Sequence, residues 1–251
     1  MSPEYSLIIV LIILLGLLIL LGRIRLRRLA SYDSPILGKV EVFQKYNGEK
    51  VLTTNSFPQG ISTEQPSIKY SYWYKIANEA FRYTKNIKNP QVLCFGLGAN
   101  TSSLILAKLN PKIQQTIIEI DAQIIQACKD YFQLNDLIQL TLIQADAFKV
   151  IDSGSQLPNN HYDAIIVDIF LSSPPYIDKK SNTPIFIKKL LTLLKPKGMV
   201  IFNRPSHNQE ARRAGIELKK ELDKYFQTSQ LFDIKDPRGY RNNVITASFK
   251  L

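Results

Sequence analysis

Short apolar runs alternate with segments of helical period over the second half of this chain of 251 residues. The runs are rich in β-branched residues and predict five successive strands, at 92–95, 116–120, 140–144, 162–167 and 199–203. Helices are predicted between them, and two last runs predict a hairpin-like edge at 231–235 and 243–250. Strands that alternate with helices are typical of an α/β domain with a largely parallel sheet.

The region before these strands has a different pattern. An Asn47-Gly48 turn signal separates two apolar runs, which predicts a small β-hairpin with strands at 39–43 and 50–53. Residues 29–38 are expected to be a linker, and 55–67, which contain two prolines and a glycine, a loop. An aromatic segment at 70–83 has helical spacing and predicts a helix that leads into the first parallel strand.

The N-terminus carries an uncharged apolar run at 7–22, and its neighbours extend it toward the ~20 residues that a bilayer helix needs. Four arginines follow the run, at positions 23, 25, 27 and 28. A secretory signal would carry its positive charge before the run instead. By the positive-inside rule, the sequence predicts a single-pass membrane protein whose globular domain is cytoplasmic, with the lipid bilayer as a partner.

These patterns divide the chain into three predicted regions. Residues 1–28 would be a transmembrane anchor with a basic juxtamembrane segment. Residues 29–85 would hold the linker, the hairpin and the aromatic helix, and residues 86–251 a nucleoside-binding domain.

The amino-acid composition excludes some kinds of binding site but does not indicate a function. The net charge is +11, but lysines are scattered and form no long basic block, so we expect no nucleic-acid site. The two cysteines, Cys94 and Cys128, and the two histidines, His161 and His207, have no metal-ligand spacing. We therefore predict no metal site and a reducing, cytosolic environment.

The turn after the first parallel strand carries candidate chemistry. Gly96 and Gly98 open it, and the next strand ends near Glu119, whose carboxylate can accept hydrogen bonds from ribose hydroxyls. Ala99 and Asn100 stand where a third glycine would tighten the loop toward a pyrophosphate, so the loop favours a nucleoside without phosphates. The following helix is expected to be capped by Thr101, Ser102 or Ser103.

Two further carboxylates follow later strands. Asp146 comes after the third predicted strand and Asp168 after the fourth. Ligands of open α/β sheets bind at the carboxyl ends of the strands. We therefore expect Glu119, Asp146 and Asp168 to converge on the glycine turn.

Five motifs occur in the order V-L-C-F-G-L-G, I-I-E-I-D, Q-A-D-A-F, Y-D-A-I-I-V-D and L-L-K-P-K-G-M-V-I-F-N. Together they resemble the class I S-adenosylmethionine-dependent methyltransferases and, more closely, the spermidine synthase family with its membrane-associated branch. The likeness covers residues 38–205. It implies a Rossmann-like class I methyltransferase sheet with helices on both faces, preceded by a small N-terminal β-hairpin region and one transmembrane helix.

The resemblance also implies roles for candidate residues. Glu119 would bind ribose, Asp146 adenine, and the 96–100 loop the methionine portion of S-adenosylmethionine or of its decarboxylated form. From its position alone, Asp168 is expected to orient or deprotonate a small-molecule acceptor beside Tyr72 and Trp73. The implied cofactor-binding set is Gly96, Gly98, Asn100, Thr101, Glu119, Asp146 and Ala147.

The chain departs from the family pattern at acidic positions. Ala99, Lys69 and Leu171 stand where polyamine-transferring members have carboxylates. Each loss removes a charge-assisted contact of roughly 1.5–3 kcal/mol with a cationic ligand. The sequence therefore favours methyl transfer from S-adenosylmethionine. Aminopropyl transfer and a catalytically inactive nucleoside-binding scaffold remain alternatives, and a homodimer is one alternative for the oligomeric state.

Overall fold

A computed structural model describes residues 5, 8–9, 11–16, 26–154, 156–170 and 179–249. These residues form two sheets, one of four strands and one of seven. Leu171, at which one acidic position of the family pattern falls, lies outside the described residues.

The smaller sheet is antiparallel, and its strands follow one another in chain order. They are β1 (Leu26–Ser34), β2 (Gly38–Lys45), β3 (Lys50–Thr54) and β4 (Phe57–Ile61). β2 and β3 pair across the Asn47-Gly48 turn, which confirms the predicted hairpin.

Two segments that were expected to be irregular are strands. The predicted linker at 29–38 belongs largely to β1, where a register shift between Arg28 and Ala30 interrupts the alternation that would have revealed the strand. The predicted loop at 55–67 contains β4. Pro58 had argued against a strand there, but β4 is an edge strand, where a proline is tolerated.

The predicted transmembrane helix is wrong. Of the apolar run at 7–22, the described residues are helical, but none of the helices that the structure describes is both long and apolar enough to cross a bilayer. Two of the arginines that were expected to flank the membrane, Arg27 and Arg28, lie in β1 instead, and Arg28 donates to Glu41 of β2 at 3.0 Å. The structure therefore contradicts the transmembrane helix in the predicted fold class. It contradicts the predicted single-pass localisation with a cytoplasmic domain for the same reason.

The larger sheet has the order β10-β11-β9-β8-β5-β6-β7. Its parallel strands are β5 (Gln91–Phe95), β6 (Gln114–Glu119), β7 (Leu140–Gln144), β8 (Tyr162–Val167) and β9 (Leu194–Pro205). β11 (Arg241–Ser248) is antiparallel to its two neighbours, β9 and β10 (Thr228–Lys235). The parallel strands confirm the predicted Rossmann-like class I methyltransferase sheet.

Helices cover both faces of this sheet. They are α1 (Tyr72–Thr84), α2 (Thr101–Leu109), α3 (Ala122–Tyr131), α4 (Ala147–Ser153), α5 (Pro184–Leu193) and α6 (Gln209–Leu222). Short 3-10 helices lie at Pro66–Tyr70, Leu134–Asp136 and Lys180–Asn182. In β5, Val92 and Cys94 pack with the core of α1, α2 and α3, whereas Leu93 and Phe95 pack with that of α4, α5 and α6. The alternation of side chains along a strand therefore separates two cores.

Polar contacts fix the small sheet above the carboxyl ends of the parallel strands. The buried Thr101 hydroxyl, at the start of α2, donates to the Ile61 carbonyl at 2.6 Å and accepts from the Ile61 amide at 3.0 Å. Ser34, at the end of β1, donates to the carboxylate of Asp121, which caps α3. The first contact holds β4 beside the glycine turn, and the second attaches β1 to the start of α3.

Replacing Thr101 with valine should lower the free energy of unfolding by about 1–3 kcal/mol, because the buried amide and carbonyl of Ile61 lose this partner. Urea unfolding followed by circular dichroism measures the change. Thr192→Val is the matched control, since its exposed hydroxyl donates only to a carbonyl of its own helix, and it should change stability by less than about 0.5 kcal/mol. Equal stabilities of Thr101→Val and the unchanged protein would contradict this account of the contact.

Candidate active site

A cavity of about 920 Å³ lies between the small sheet and the carboxyl ends of the parallel strands. It is large enough for a nucleoside with a second small molecule beside it. Its lining includes the glycine turn after β5, the ends of β6 and β8, strand β4 and the turn between β10 and β11. Seven of the predicted site residues line it: Tyr72, Gly96, Gly98, Glu119, Asp146, Ala147 and Asp168.

Other backbone segments approach the glycine turn so closely that it requires glycine at positions 96 and 98. Gly96 has φ +91° and Gly98 has φ +53°, in the region that favours glycine. A Cβ on Gly96 would overlap the carbonyl oxygen of Asp168, and a Cβ on Gly98 would lie 2.6 Å from that of Gln59. The turn is thus in contact with both β8 and β4, and only glycine allows this.

Gly60, which was expected to lie in a loop, makes the corresponding approach from the small sheet. A Cβ on Gly60 would lie 2.6 Å from the Ala99 Cβ. A glycine within a strand often marks the close approach of another backbone, and this feature of the sequence could have indicated the contact. The methyl group of Ala99 consequently faces β4 and is buried.

Glu119 fixes the turn from the side of β6. One carboxylate oxygen accepts from the Leu97 amide at 3.0 Å, and the other accepts from the Asp121 amide at 2.9 Å. Burial raises the pKa of Glu119, and these backbone hydrogen bonds oppose the rise. Because each carboxylate oxygen has further lone pairs, Glu119 can still accept from hydroxyls in the cavity.

Asp146 stands beside an apolar surface. Its carboxylate caps α4 by accepting from the Phe148 amide at 2.9 Å. Ala145, Ala147 and Phe148 line the cavity next to it, and the Phe148 ring packs against Phe186 with centroids 5.5 Å apart. A carboxylate acceptor next to a flat apolar surface suits an aromatic base with an amino group.

Asp168 lies at the end of β8 and is held by an amide network. Its carboxylate accepts from Asn203 at 2.8 Å, and the Asn203 side-chain oxygen accepts from Asn242 at 2.9 Å. Burial raises the pKa of Asp168 to about 6, against the hydrogen bond from Asn203 and the positive charge of Arg204. The group is therefore ionised near neutral pH but can accept a proton readily.

Asn203 and Asn242 were not among the residues predicted for the site. Asn203 was noticed only as the last residue of a predicted strand, and Asn242 precedes another. Both are buried near the cavity, and Asn242 lines it. A buried asparagine at the end of a core strand is the one signal that could have indicated them, because buried polar side chains need partners.

The predicted aromatic substrate wall is smaller than expected. Tyr72 lines the cavity, and burial, followed by the charge of Asp168, raises its pKa. Trp73 does not line the cavity. It packs against Tyr72 and, edge-on, against Tyr240, with centroids 4.1 and 5.6 Å apart. Tyr240, from the turn after β10, is the second aromatic side chain on this wall, and its pKa is raised to about 12, chiefly by burial.

Asn100 and Thr101 lie just outside the cavity. The Asn100 side chain donates to the Phe132 carbonyl at 3.1 Å, and Thr101 is committed to Ile61. The predicted hydroxyl cap of α2 is wrong, since Asn100 occupies the cap position with φ +58° and its side chain makes no capping hydrogen bond. Any contact of these two residues with a ligand would be through the backbone or after movement.

Comparisons with known proteins agree with this geometry. The sequence model of the spermine/spermidine synthase domain matches residues 81–248. No curated protein sequence matches the chain. A probable spermidine synthase from Corynebacterium glutamicum superposes with a TM-score of 0.70 at 20% identity, covering 87% of this chain and 79% of its own.

Two other solved structures contain ligands. A spermidine synthase in complex with the transition-state analogue AdoDATO has a TM-score of 0.69 at 16% identity and covers 89% of this chain and 74% of its own. Human methyltransferase-like protein 13 in complex with SAH has a TM-score of 0.59 at 20% identity, and the match covers 71% of this chain and 82% of its own. At these identities, the likenesses establish the fold.

Replacing Gly96 with alanine should disrupt the turn, and Gly48→Ala is its matched control. Both glycines have similar φ, +91° and +85°, so both variants carry the left-handed strain of ~1 kcal/mol. Only at Gly96 would the added methyl group overlap another backbone, since nothing lies within 4 Å at Gly48. We expect Gly96→Ala to lose about 2 kcal/mol more in urea unfolding than Gly48→Ala. Equal losses would mean that the close approach is not a constraint.

Proposed function

This chain belongs to the spermine/spermidine synthase family, and from that premise we propose that it transfers an aminopropyl group from decarboxylated S-adenosylmethionine to an amine. The observation that supports this most is Asp168, a carboxylate with a raised pKa between the glycine turn and Tyr72. An amine acceptor is protonated near neutral pH, so its transfer reaction needs a nearby base. We place aminopropyl transfer ahead of the methyl transfer that the sequence favours because of the family match.

The donor would occupy the side of the cavity formed by β5, β6 and β7. Glu119 would accept hydrogen bonds from the ribose hydroxyls, and Asp146 from the adenine amino group, with Ala147 and Phe148 along the base. Gly96 and Gly98 would let the rest of the donor lie close to the backbone. These groups suit the adenosine part of the donor, since its hydroxyls and amino group donate and the two carboxylates accept.

Transfer would be a displacement at carbon. The acceptor nitrogen forms a bond to the aminopropyl carbon next to the sulfonium, and the carbon–sulfur bond breaks with its electron pair passing to sulfur. The products are the aminopropylated amine and 5′-methylthioadenosine, and the proton of the acceptor passes to Asp168. Asn203 keeps the carboxylate in place through its 2.8 Å hydrogen bond, which makes Asp168 a positioned general base.

Methyl transfer from intact S-adenosylmethionine is the second candidate, and Ala99 is the observation that favours it. Its methyl group is buried against Gly60, so the turn offers no carboxylate to an ammonium at this point. Human methyltransferase-like protein 13, with SAH bound, has the same fold.

The nucleoside product distinguishes the candidates. We would incubate the protein with decarboxylated or intact S-adenosylmethionine and a mixture of amines that includes putrescine and ornithine, and identify products by mass spectrometry. Release of 5′-methylthioadenosine together with an aminopropylated amine is expected. S-adenosylhomocysteine as the sole enzymatic product would overturn aminopropyl transfer in favour of methyl transfer. No product from either donor would favour the inactive scaffold.

The pH profile tests the role of Asp168. Because a base must be deprotonated and its pKa is about 6, kcat/KM should rise with pH through about 6 and then level off. Asp168→Asn should lose at least ~100-fold in kcat and lose this rise. Asp136→Asn, at an exposed carboxylate, is the control and should keep both. A profile for Asp168→Asn that keeps the same rise would assign the titration to another group.

A further inference from the structure

Charge is distributed unevenly along the cavity. Glu119 and Asp146, at the ends of β6 and β7, lie on the side assigned above to the donor. Basic side chains line the opposite side, where the sheet continues through β8, β9 and β11. We call this opposite side the basic wall, and its residues are Lys179, Lys180, His207 and Arg241.

The basic wall is assembled by topology from three parts of the chain. Lys179 and Lys180 precede α5, His207 follows β9, and Arg241 begins β11. β11 runs antiparallel to β9, so its start lies at the same edge as the end of β9. The Ser206 amide donates to the Arg241 carbonyl at 2.8 Å, which fixes these two segments to each other.

Arg241 differs from a neighbouring arginine whose charge is compensated. Arg238 donates to Glu49 at 2.8 Å and forms an ion pair with Asp236 at 3.1 Å, so its charge is balanced within the fold. Among the described residues, no ion pair involves Arg241 or Lys179. Both residues line the cavity, so an anionic group bound there could pair with them.

A buried arginine lies behind this wall. Arg204 is 2% exposed, and its acceptors include the Asn203 backbone oxygen, Ser181 and Asn182. The last two hold the 3-10 turn that begins with Lys180, so Arg204 also positions the basic wall. Its charge contributes to lowering the pKa of Asp168 against the effect of burial, which means that the positive field reaches the reacting group.

We propose that the acceptor is an amine that also carries a carboxylate, and that Arg241 and Lys179 bind this carboxylate. This rests on the proposed aminopropyl transfer and specifies its substrate. The second ammonium of a diamine such as putrescine would face like charges, which disfavours binding, whereas a carboxylate would be attracted. Arg241 is therefore a specificity-determining residue that acts on the part of the acceptor remote from the reacting nitrogen.

Matched pairs of amines test the proposal. Ornithine differs from putrescine, lysine from cadaverine, and 2,4-diaminobutanoate from 1,3-diaminopropane only by a carboxylate. Each is assayed with decarboxylated S-adenosylmethionine by the release of 5′-methylthioadenosine. In at least one pair, the carboxylate-bearing amine should have a kcat/KM at least tenfold higher than its diamine. Arg241→Gln should reduce that ratio at least tenfold, mainly through KM, and should leave the KM of the donor unchanged.

The control variant is Lys112→Gln, which removes one exposed positive charge away from the cavity and should keep the ratio. Diamines preferred in every pair, or a ratio that Arg241→Gln leaves unchanged, would overturn the proposal while aminopropyl transfer stands. A failure of aminopropyl transfer itself is recognised separately, because no amine would then release 5′-methylthioadenosine. In that case, the acceptor proposal is overturned with it.

Discussion

The close approach of the glycine turn to β8 and β4 is the constraint on which the rest of the site depends. Gly96 contacts the backbone at Asp168, and Gly98 contacts the backbone at Gln59. Glu119 holds the same turn through the Leu97 amide. One turn therefore brings together Glu119 at the end of β6, Asp168 after β8 and the small sheet. A larger residue at either glycine would separate them, whatever the rest of the chain did.

The small sheet completes the cavity because it is fixed at both of its ends. Thr101 attaches Ile61 of β4 beside the glycine turn. At the other end, Glu49 follows the β2–β3 turn and pairs with Arg238 in the turn between β10 and β11. That turn carries Tyr240 and Arg241 into the cavity. The Glu49–Arg238 pair is largely buried, where losing one partner costs far more than it does at the surface.

The sequence predicts the part of the cavity at the ends of β6, β7 and β8 better than the part formed by β9 and the last hairpin. Glu119 ends a strand of strong β pattern, and Asp146 and Asp168 each follow one, so the rule that parallel strands end at one edge is enough to bring them together. Asn203, Asn242, Tyr240 and Arg241 come from β9 and the last hairpin, and nothing local in the sequence shows that they face Asp168. That information lies in strand order and antiparallel register, which are set by contacts between distant residues.

Two errors have related causes. Hydropathy averages the composition of a segment and does not fix where a helix ends, so the run at 7–22 was extended to a membrane span that the described helices do not support. Arg27 and Arg28 were counted as its flanking charges, although they pair in β1. For α2, its position after the turn suggested that a hydroxyl would cap it. Asn100 occupies the cap position instead, and the Thr101 hydroxyl bonds to Ile61, which is distant in sequence.

The most direct test of a nucleoside site at the glycine turn is a crystal structure of the protein with 5′-methylthioadenosine. We predict ribose hydroxyls within hydrogen-bond distance of Glu119, adenine between Asp146 and Phe148, and the sulfur directed toward Asp168. A nucleoside bound outside the cavity, or an empty cavity at concentrations far above those of a typical enzyme product, would contradict the account.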